Sequence, residues 1–299
     1  AYRNNIRWRQ SYEPIKVNPF HQVPSRLRKG GVYMITGGLG SIGLVIAEYL
    51  ARSVQAKLIL IGRTPLPERS EWQKWLDSHP ELDKVSVKIK RIQELEELGG
   101  TVLPLNADIA DMEQMQQVFD KTIAQFGTPN GVFHCAGLVE GGMIQLRDRE
   151  AMNEILAPKV KGTIVIDKLL HDIKPDFWIG FSSISAIVPG IGEVEYCAAN
   201  SFLDTYAHYK NMNDSTYTLS INWDPWREVG MAAEAAKKFA NNNSDLLKNG
   251  ILTSEGVEVL ERVLNNELSI PLSNQIVVST TALAERYRKW IEFDIQKID

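Results

Sequence analysis

The chain has 299 residues, of which 44% are hydrophobic, with a formal charge of -4 and two cysteines. That length and apolar content suit one large α/β domain with appendages and argue against two large independent domains. The mild negative charge gives no general attraction to nucleic acid or anionic membrane, and Cys135 and Cys197 offer neither disulfide nor metal-ligand spacing.

Residues 1–30 lack a clear period and carry Pro14, Pro19 and Pro24, which predicts an extended lead-in with at most one short strand. Ala1 to Gln10 have no apolar run of the kind a secretion signal needs, and no later stretch reaches eighteen apolar residues, so a cytoplasmic location is expected. From Gly31 the texture changes. Apolar runs at 32–36, 57–61, 101–105, 131–134, 176–181 and 218–223 read as strands buried on both faces. Pro104 suggests that its strand lies near an edge or an end. Helical patterns at 42–51, 111–125, 152–172 and 196–210 alternate with these strands, which predicts βαβ units and a doubly wound, Rossmann-type parallel sheet. The polar stretch 66–99 reads as a helix or helical pair whose apolar positions pack locally, with no active role. Residues 231–249 read either as a helical lid over a substrate cleft or as a plain surface helix. A helix at 253–264, a strand at 275–279 and a helix at 286–293 complete the chain.

Thr36-Gly37-Gly38-Leu39-Gly40-Ser41-Ile42-Gly43 joins a predicted strand to a predicted helix. Gly37 suits the tight turn, Gly40 a close approach of backbone to pyrophosphate, and Gly43 close helix packing, so a dinucleotide cradle is expected there rather than an empty Gly-rich turn. At the end of the second strand, where an acidic residue would hold the ribose hydroxyls, the chain has Gly62-Arg63-Thr64. Arg63 can fork onto a 2′-phosphate, which favours NADPH over NADH; the alternative is an ordinary solvated arginine. Asp108 and Ile109 can meet the adenine, or Asp108 can cap the helix that starts near Asp111. Cys135, Ala136 and Gly137 are small enough to approach the cofactor ribose, with Cys135 read as a small buried hydrophobe rather than a nucleophile.

Reduction of a ketone places charge on oxygen as hydride reaches carbon. Tyr196 can give that oxygen its phenolic proton while Ser183 hydrogen-bonds it. Lys159 is the candidate cation to ease loss of the proton, and Asn200 lies one helical turn from Tyr196. Each has a bland reading: a core tyrosine, a Ser-Ser turn, a solvated lysine after Pro158 and a helix-interior amide. His134 and His208 read as structural and surface residues. No CxxC or HExxH arrangement points to a metal.

With these motifs in order, the chain resembles the ketoreductase domains of modular polyketide synthases, a branch of the short-chain dehydrogenase/reductase family. The matching passages are TGGLGSIG at 36–43, LILIGR at 58–63, NADIAD at 106–111, VFHCAG at 132–137, APKVKG at 157–162, FSSISAIVPG at 181–190, EYCAANSFLD at 195–204 and NWDPWREVGM at 222–231. The resemblance implies that Ser183 and Tyr196 act on the carbonyl, with Lys159 and Asn200 at the lysine and asparagine positions that this branch exchanges. It implies a β-ketoacyl thioester on an acyl carrier protein as substrate, other synthase domains as partners, and no nucleic acid or membrane. It also implies that 1–30 is a linker or the remnant of a bracing subdomain, with WRQSYEP at 8–14 resembling that subdomain's tail, before a catalytic domain at 31–299. Val139-Glu140-Gly141 keeps one acid of the Leu-Asp-Asp run that accompanies one hydroxyl configuration, and Val188 replaces the tryptophan of the other, which leaves the configuration open. Asp224 stands where WGPW has glycine. The alternatives to an active reductase are a redox-inactive or epimerising domain of a synthase and a dehydrogenase of a small free alcohol.

Overall fold

The computed structural model describes residues 2–7, 10–15, 23–238, 248–265 and 274–295. Two short strands, β1 (Tyr2–Arg3) and β2 (Ile6–Arg7), pair antiparallel through a turn in which Asn4 and Asn5 take positive φ. The main sheet is formed by β3 (Val32–Thr36), β4 (Lys57–Gly62), β5 (Thr101–Asn106), β6 (Gly131–His134), β7 (Phe177–Ser183), β8 (Tyr217–Trp223) and β9 (Gln275–Val278). All its pairings are parallel, in the order β5-β4-β3-β6-β7-β8-β9. Chain order reverses between β3 and β6, which opens a crevice at the carboxyl ends of those strands. Pro104 sits in β5, on the edge of the sheet, where a missing N–H costs least.

Alternation along the strands divides the core into two layers. Tyr33, Ile35, Leu58, Leu60, Phe133, Ile179, Leu219 and Ile221 face α1 (Ser41–Val54), α3 (Lys84–Glu97) and the helix Thr253–Val263. Met34, Ile59, Ile61, Val132 and Trp178 face α4 (Met112–Phe126), α6 (Lys161–Leu170) and α7 (Val194–Asn213). Helices on both faces explain why the strand sequences are nearly all apolar. β8 is the exception on the second face: Thr218, Ser220 and Asn222 are buried there, and Asp204 of α7 accepts from Ser220 Oγ (2.6 Å) and Asn222 Nδ2 (2.8 Å).

Two local expectations change. The helix predicted over 152–172 is two helices, α5 (Arg149–Leu156) and α6, separated by a turn at Ala157, Pro158, Lys159 and Val160. Pro158 has no N–H to continue a helical ladder, and the break places Lys159 at the corner rather than on a helix face. The stretch 66–99 is a pair, α2 (Trp72–Ser78) and α3, but its apolar side chains do not pack only on one another. Trp72, Ile89, Ile92 and Leu95 join the main core, with α3 lying against α1 and β5. The predicted lid begins as α8 (Gly230–Lys238), and residues 239–247 lie outside the described residues. No helix among the described residues is long and apolar enough to cross a membrane.

Candidate active site

A cleft of about 610 Å³ opens at the carboxyl ends of β3, β4, β5 and β6. Gly37, at φ +65°, turns the chain out of β3, and a side chain there would press on the Ala136 backbone at 3.0 Å. A Cβ on Gly43 would collide with the Gly37 carbonyl oxygen, so the first turn of α1 closes tightly on the strand. Gly40 is the N-cap of α1 and has no side chain to cap it, which leaves the amides of the first turn available to an anion. This loop, drawn in where a Cβ at Gly37 or Gly43 would strike backbone and ending on the uncapped amides of α1, fits the pyrophosphate of a dinucleotide.

Eleven of the twelve residues expected to hold a cofactor line this cleft: Gly37, Leu39, Gly40, Ile42, Gly43, Arg63, Asp108, Ile109, Cys135, Ala136 and Gly137. Gly38 does not. Its N–H donates to the Ile61 carbonyl (3.1 Å), and a Cβ there would meet Ile35 O at 2.7 Å, so it wedges the loop against β4. Arg63 is exposed at the end of β4. Asp111 caps α4 by accepting from Gln114 N (3.0 Å), whereas Asp108 accepts from Ala110 N (2.9 Å) within its own turn. Burial raises the Cys135 thiol pKa well above its ordinary value, which keeps the thiol protonated. α8 lies across the mouth: Gly230 N donates to Ser41 Oγ (2.9 Å), which donates to Glu234 (3.3 Å), and Gly230, Met231 and Glu234 line the cleft.

The four candidate reactive residues are not part of that lining, and they border it through Pro158 and Gly137. A Cβ on Gly137 would lie 2.8 Å from Lys159 Cε. Ser183 ends β7 and caps the short turn Ile184–Ala186, its Oγ accepting from Ser185 N (3.1 Å). Tyr196 is in the first turn of α7, and Asn200, one turn later and fully buried, donates to the Tyr196 carbonyl (2.7 Å). Asn200 Oδ1 has no hydrogen-bond partner among the described residues. The Tyr196 phenol is raised above its ordinary pKa by burial, while hydrogen bonds from Ser183 and Asn200 act to lower it. The phenol therefore keeps its proton at neutral pH, next to the serine hydroxyl and the amide.

Lys159 is only 3% exposed and donates to the Phe181 carbonyl of β7, two residues before Ser183. Burial pulls its ammonium down to about 8, opposed by Cys135 and Asp204. It shares no hydrogen bond with Tyr196 among those described. His134 is buried at the end of β6, 2.7 Å from Thr36 Oγ1, a structural position. Ser185, Glu193, Arg147 and Glu195 brace this region and carry no sequence signal, because each pairing is long-range or runs through a loop. Ser183 and Ser185 share a hydroxyl contact (3.2 Å) that continues from Ser185 to Glu193 (3.2 Å). Arg147 donates to Glu140 and to buried Glu195, both at 3.2 Å, tying the loop after β6 to the residue beside Tyr196. Among the described residues no cluster of His, Cys, Asp or Glu could hold a metal ion.

The family described as "KR domain" matches residues 31–228. Polyketide synthase PksM of Bacillus subtilis (strain 168) is 31% identical over 266 residues, 88% of this chain but 6% of that protein. An N-terminal ketoreductase from the macrolactin assembly line superposes with TM-score 0.69 at 30% identity, covering 90% of this chain and 48% of that one. A ketoreductase domain from the bacillaene assembly line gives TM-score 0.71 at 27% identity, covering 91% and 61%.

Proposed function

The chain belongs to the KR domain family, the ketoreductase domains of polyketide synthases within the short-chain dehydrogenase/reductase family, and from that premise we propose that it reduces a carrier-bound β-ketoacyl thioester to the β-hydroxyacyl thioester with NADPH. The observation that carries this reading is the convergence of a protonated Tyr196 phenol, the Ser183 hydroxyl and the buried Asn200 amide beside a glycine-lined cleft. In this reading the Gly37–Gly43 loop and the first turn of α1 hold the pyrophosphate, Arg63 meets the 2′-phosphate, Asp108 and Ile109 flank the adenine, and Cys135, Ala136 and Gly137 let the ribose approach. The bound nicotinamide supplies a hydride. Ser183 fixes the β-carbonyl oxygen, and Tyr196 gives it a proton as the carbon–oxygen π bond opens, so the alcohol forms with one hydride and one proton gained. The phenolate left behind is stabilised by the positive charge of Lys159 and takes a proton back from solvent, with Asn200 keeping the helix turn in register.

The passages shared with polyketide synthases support an acyl carrier protein as the bearer of substrate and other synthase domains as neighbours, in the cytoplasm. Residues 1–30 serve in this proposal as a linker or subdomain remnant, 31–299 as the catalytic domain, and 231–249 as its lid. The test is turnover of NADPH with β-ketoacyl thioesters on a carrier protein and on a short thiol, followed by chiral analysis of the product. Tyr196→Phe is expected to lower turnover by about a hundredfold or more while leaving NADPH affinity within about twofold. Turnover near the parent level would reject the assignment, and parent protein that binds NADPH yet reduces none of the thioesters would favour a redox-inactive domain.

A further inference from the structure

Among the described residues, five charged side chains line the cleft: Arg63, Lys88, Asp108, Glu154 and Glu234. Lys88 comes from the second turn of α3, the polar helix between β4 and β5 that has no place in the motif pattern. α3 packs on α1 and β5 and joins the core through Ile89 and Ile92, and near its N-terminal end Lys88 lines the cleft together with Gly62, Arg63 and Thr64. The basic residues just beyond it are neutralised: Lys90 pairs with Glu81 (2.7 Å), and Arg91 with Glu48 (3.2 Å) and Glu94 (2.5 Å). Lys88 and Arg63 have no carboxylate partner among the described residues.

We propose that Lys88 is a second cation for the 2′-phosphate of the cofactor and, with Arg63, sets the preference for NADPH over NADH. The inference rests on the NADPH reading above. The adenosine ribose of a dinucleotide lies over the loop that follows the second strand of such a sheet, here Gly62-Arg63-Thr64. A phosphate monoester there carries nearly two charges, more than one exposed arginine neutralises. The guanidinium offers a planar fork and the ammonium a point charge, so the two divide the phosphate oxygens rather than compete for the same geometry. Partial burial and the nearby Lys84 make the bare ammonium unfavourable, and an anion against it relieves both costs. NADH brings only a hydroxyl to this wall and gains nothing from Lys88.

Equilibrium affinities of NADPH, NADH, adenosine 2′,5′-bisphosphate and adenosine 5′-monophosphate, read by fluorescence or calorimetry, test this on the parent protein and on Lys88→Gln, Lys88→Arg and Arg63→Gln. Lys88→Gln is expected to weaken NADPH and the bisphosphate by about tenfold, with NADH and the monophosphate within about twofold. Lys88→Arg is expected to restore most of the loss, and the double variant Arg63→Gln/Lys88→Gln to bind NADPH no better than NADH. An unchanged NADPH-to-NADH ratio in Lys88→Gln, or equal weakening of all four ligands, overturns the role of Lys88. A parent protein that binds NADPH and NADH equally would instead overturn the cofactor reading on which it stands.

Discussion

Lys159 occupies a corner of the chain where every neighbour matters to its charge. The ammonium is enclosed by Gly137, the Phe181 carbonyl and Cys135, with His134 and Asp204 close enough to act on it or be acted on by it. Burial wins and brings it down to about 8, so it carries its charge at neutral pH and loses it as pH rises through that value. In the proposed site kcat/KM therefore falls on an alkaline limb near pH 8, and Lys159→Met is slower throughout and lacks that limb. Stability moves the other way. The unfolded lysine holds its proton to about 10.5, so above pH 8 the unfolded chain binds more protons and the fold gains stability with rising pH. The gain from pH 7 to pH 10 is roughly 2 kcal/mol from this residue. Urea melts of parent and Lys159→Met at the two pH values isolate it as the difference between their slopes; parallel slopes would mean that burial does not suppress the charge.

At the scale of elements, the site depends on where helices stop and what ties their ends. Asp224, its side chain 1% exposed just after β8, is held by Arg286 of the C-terminal helix Leu283–Ile295, by Ser279 Oγ (3.3 Å) and by Thr280 N (3.2 Å). Arg286→Met would strand a buried carboxylate, at a cost of about 3 kcal/mol. Asp224→Asn with Arg286→Met removes both charges and is expected to cost less than the sum of the single changes, as an unfolding double-mutant cycle would show; strict additivity would mean the pair is decorative. None of this was legible from the chain, where Asp224 and Arg286 are far apart and only Asp224 stood out, as a departure from WGPW. The same limit hid Lys88, whose place on the cleft wall follows from how α3 packs, and the break at Ala157–Val160, because the apolar spacing of α5 runs on into α6. By contrast the strands and the glycine loop were readable because continuous apolar runs and a turn that tolerates no Cβ are local constraints. Pro104 on the edge strand β5 was readable for the same reason.

For the molecule as a whole, the decisive feature is that both core layers hang on the same central strands. β3 and β6 send alternate side chains into each layer and meet at the crevice, so neither layer can open without the other and a single unfolding transition is expected. His134 sits at that junction, fully buried between Thr36 and Trp178. Burial and the nearby Lys159 push its imidazole pKa down to about 3, so in the fold it stays neutral far into acid, whereas the unfolded histidine takes a proton near 6.5. Between those values the unfolded chain binds more protons, so stability falls as pH drops from 6.5 toward 3. At pH 4 this single group is expected to have removed about 3 kcal/mol. His134→Gln keeps a neutral polar group opposite Thr36 and takes that loss away, whatever it costs at pH 7. Urea unfolding of both proteins at pH 7 and pH 4 should give a parent that loses about 3 kcal/mol more than the variant across the interval. Equal losses would show that the ring protonates in the fold, and that the strand junction is open to water.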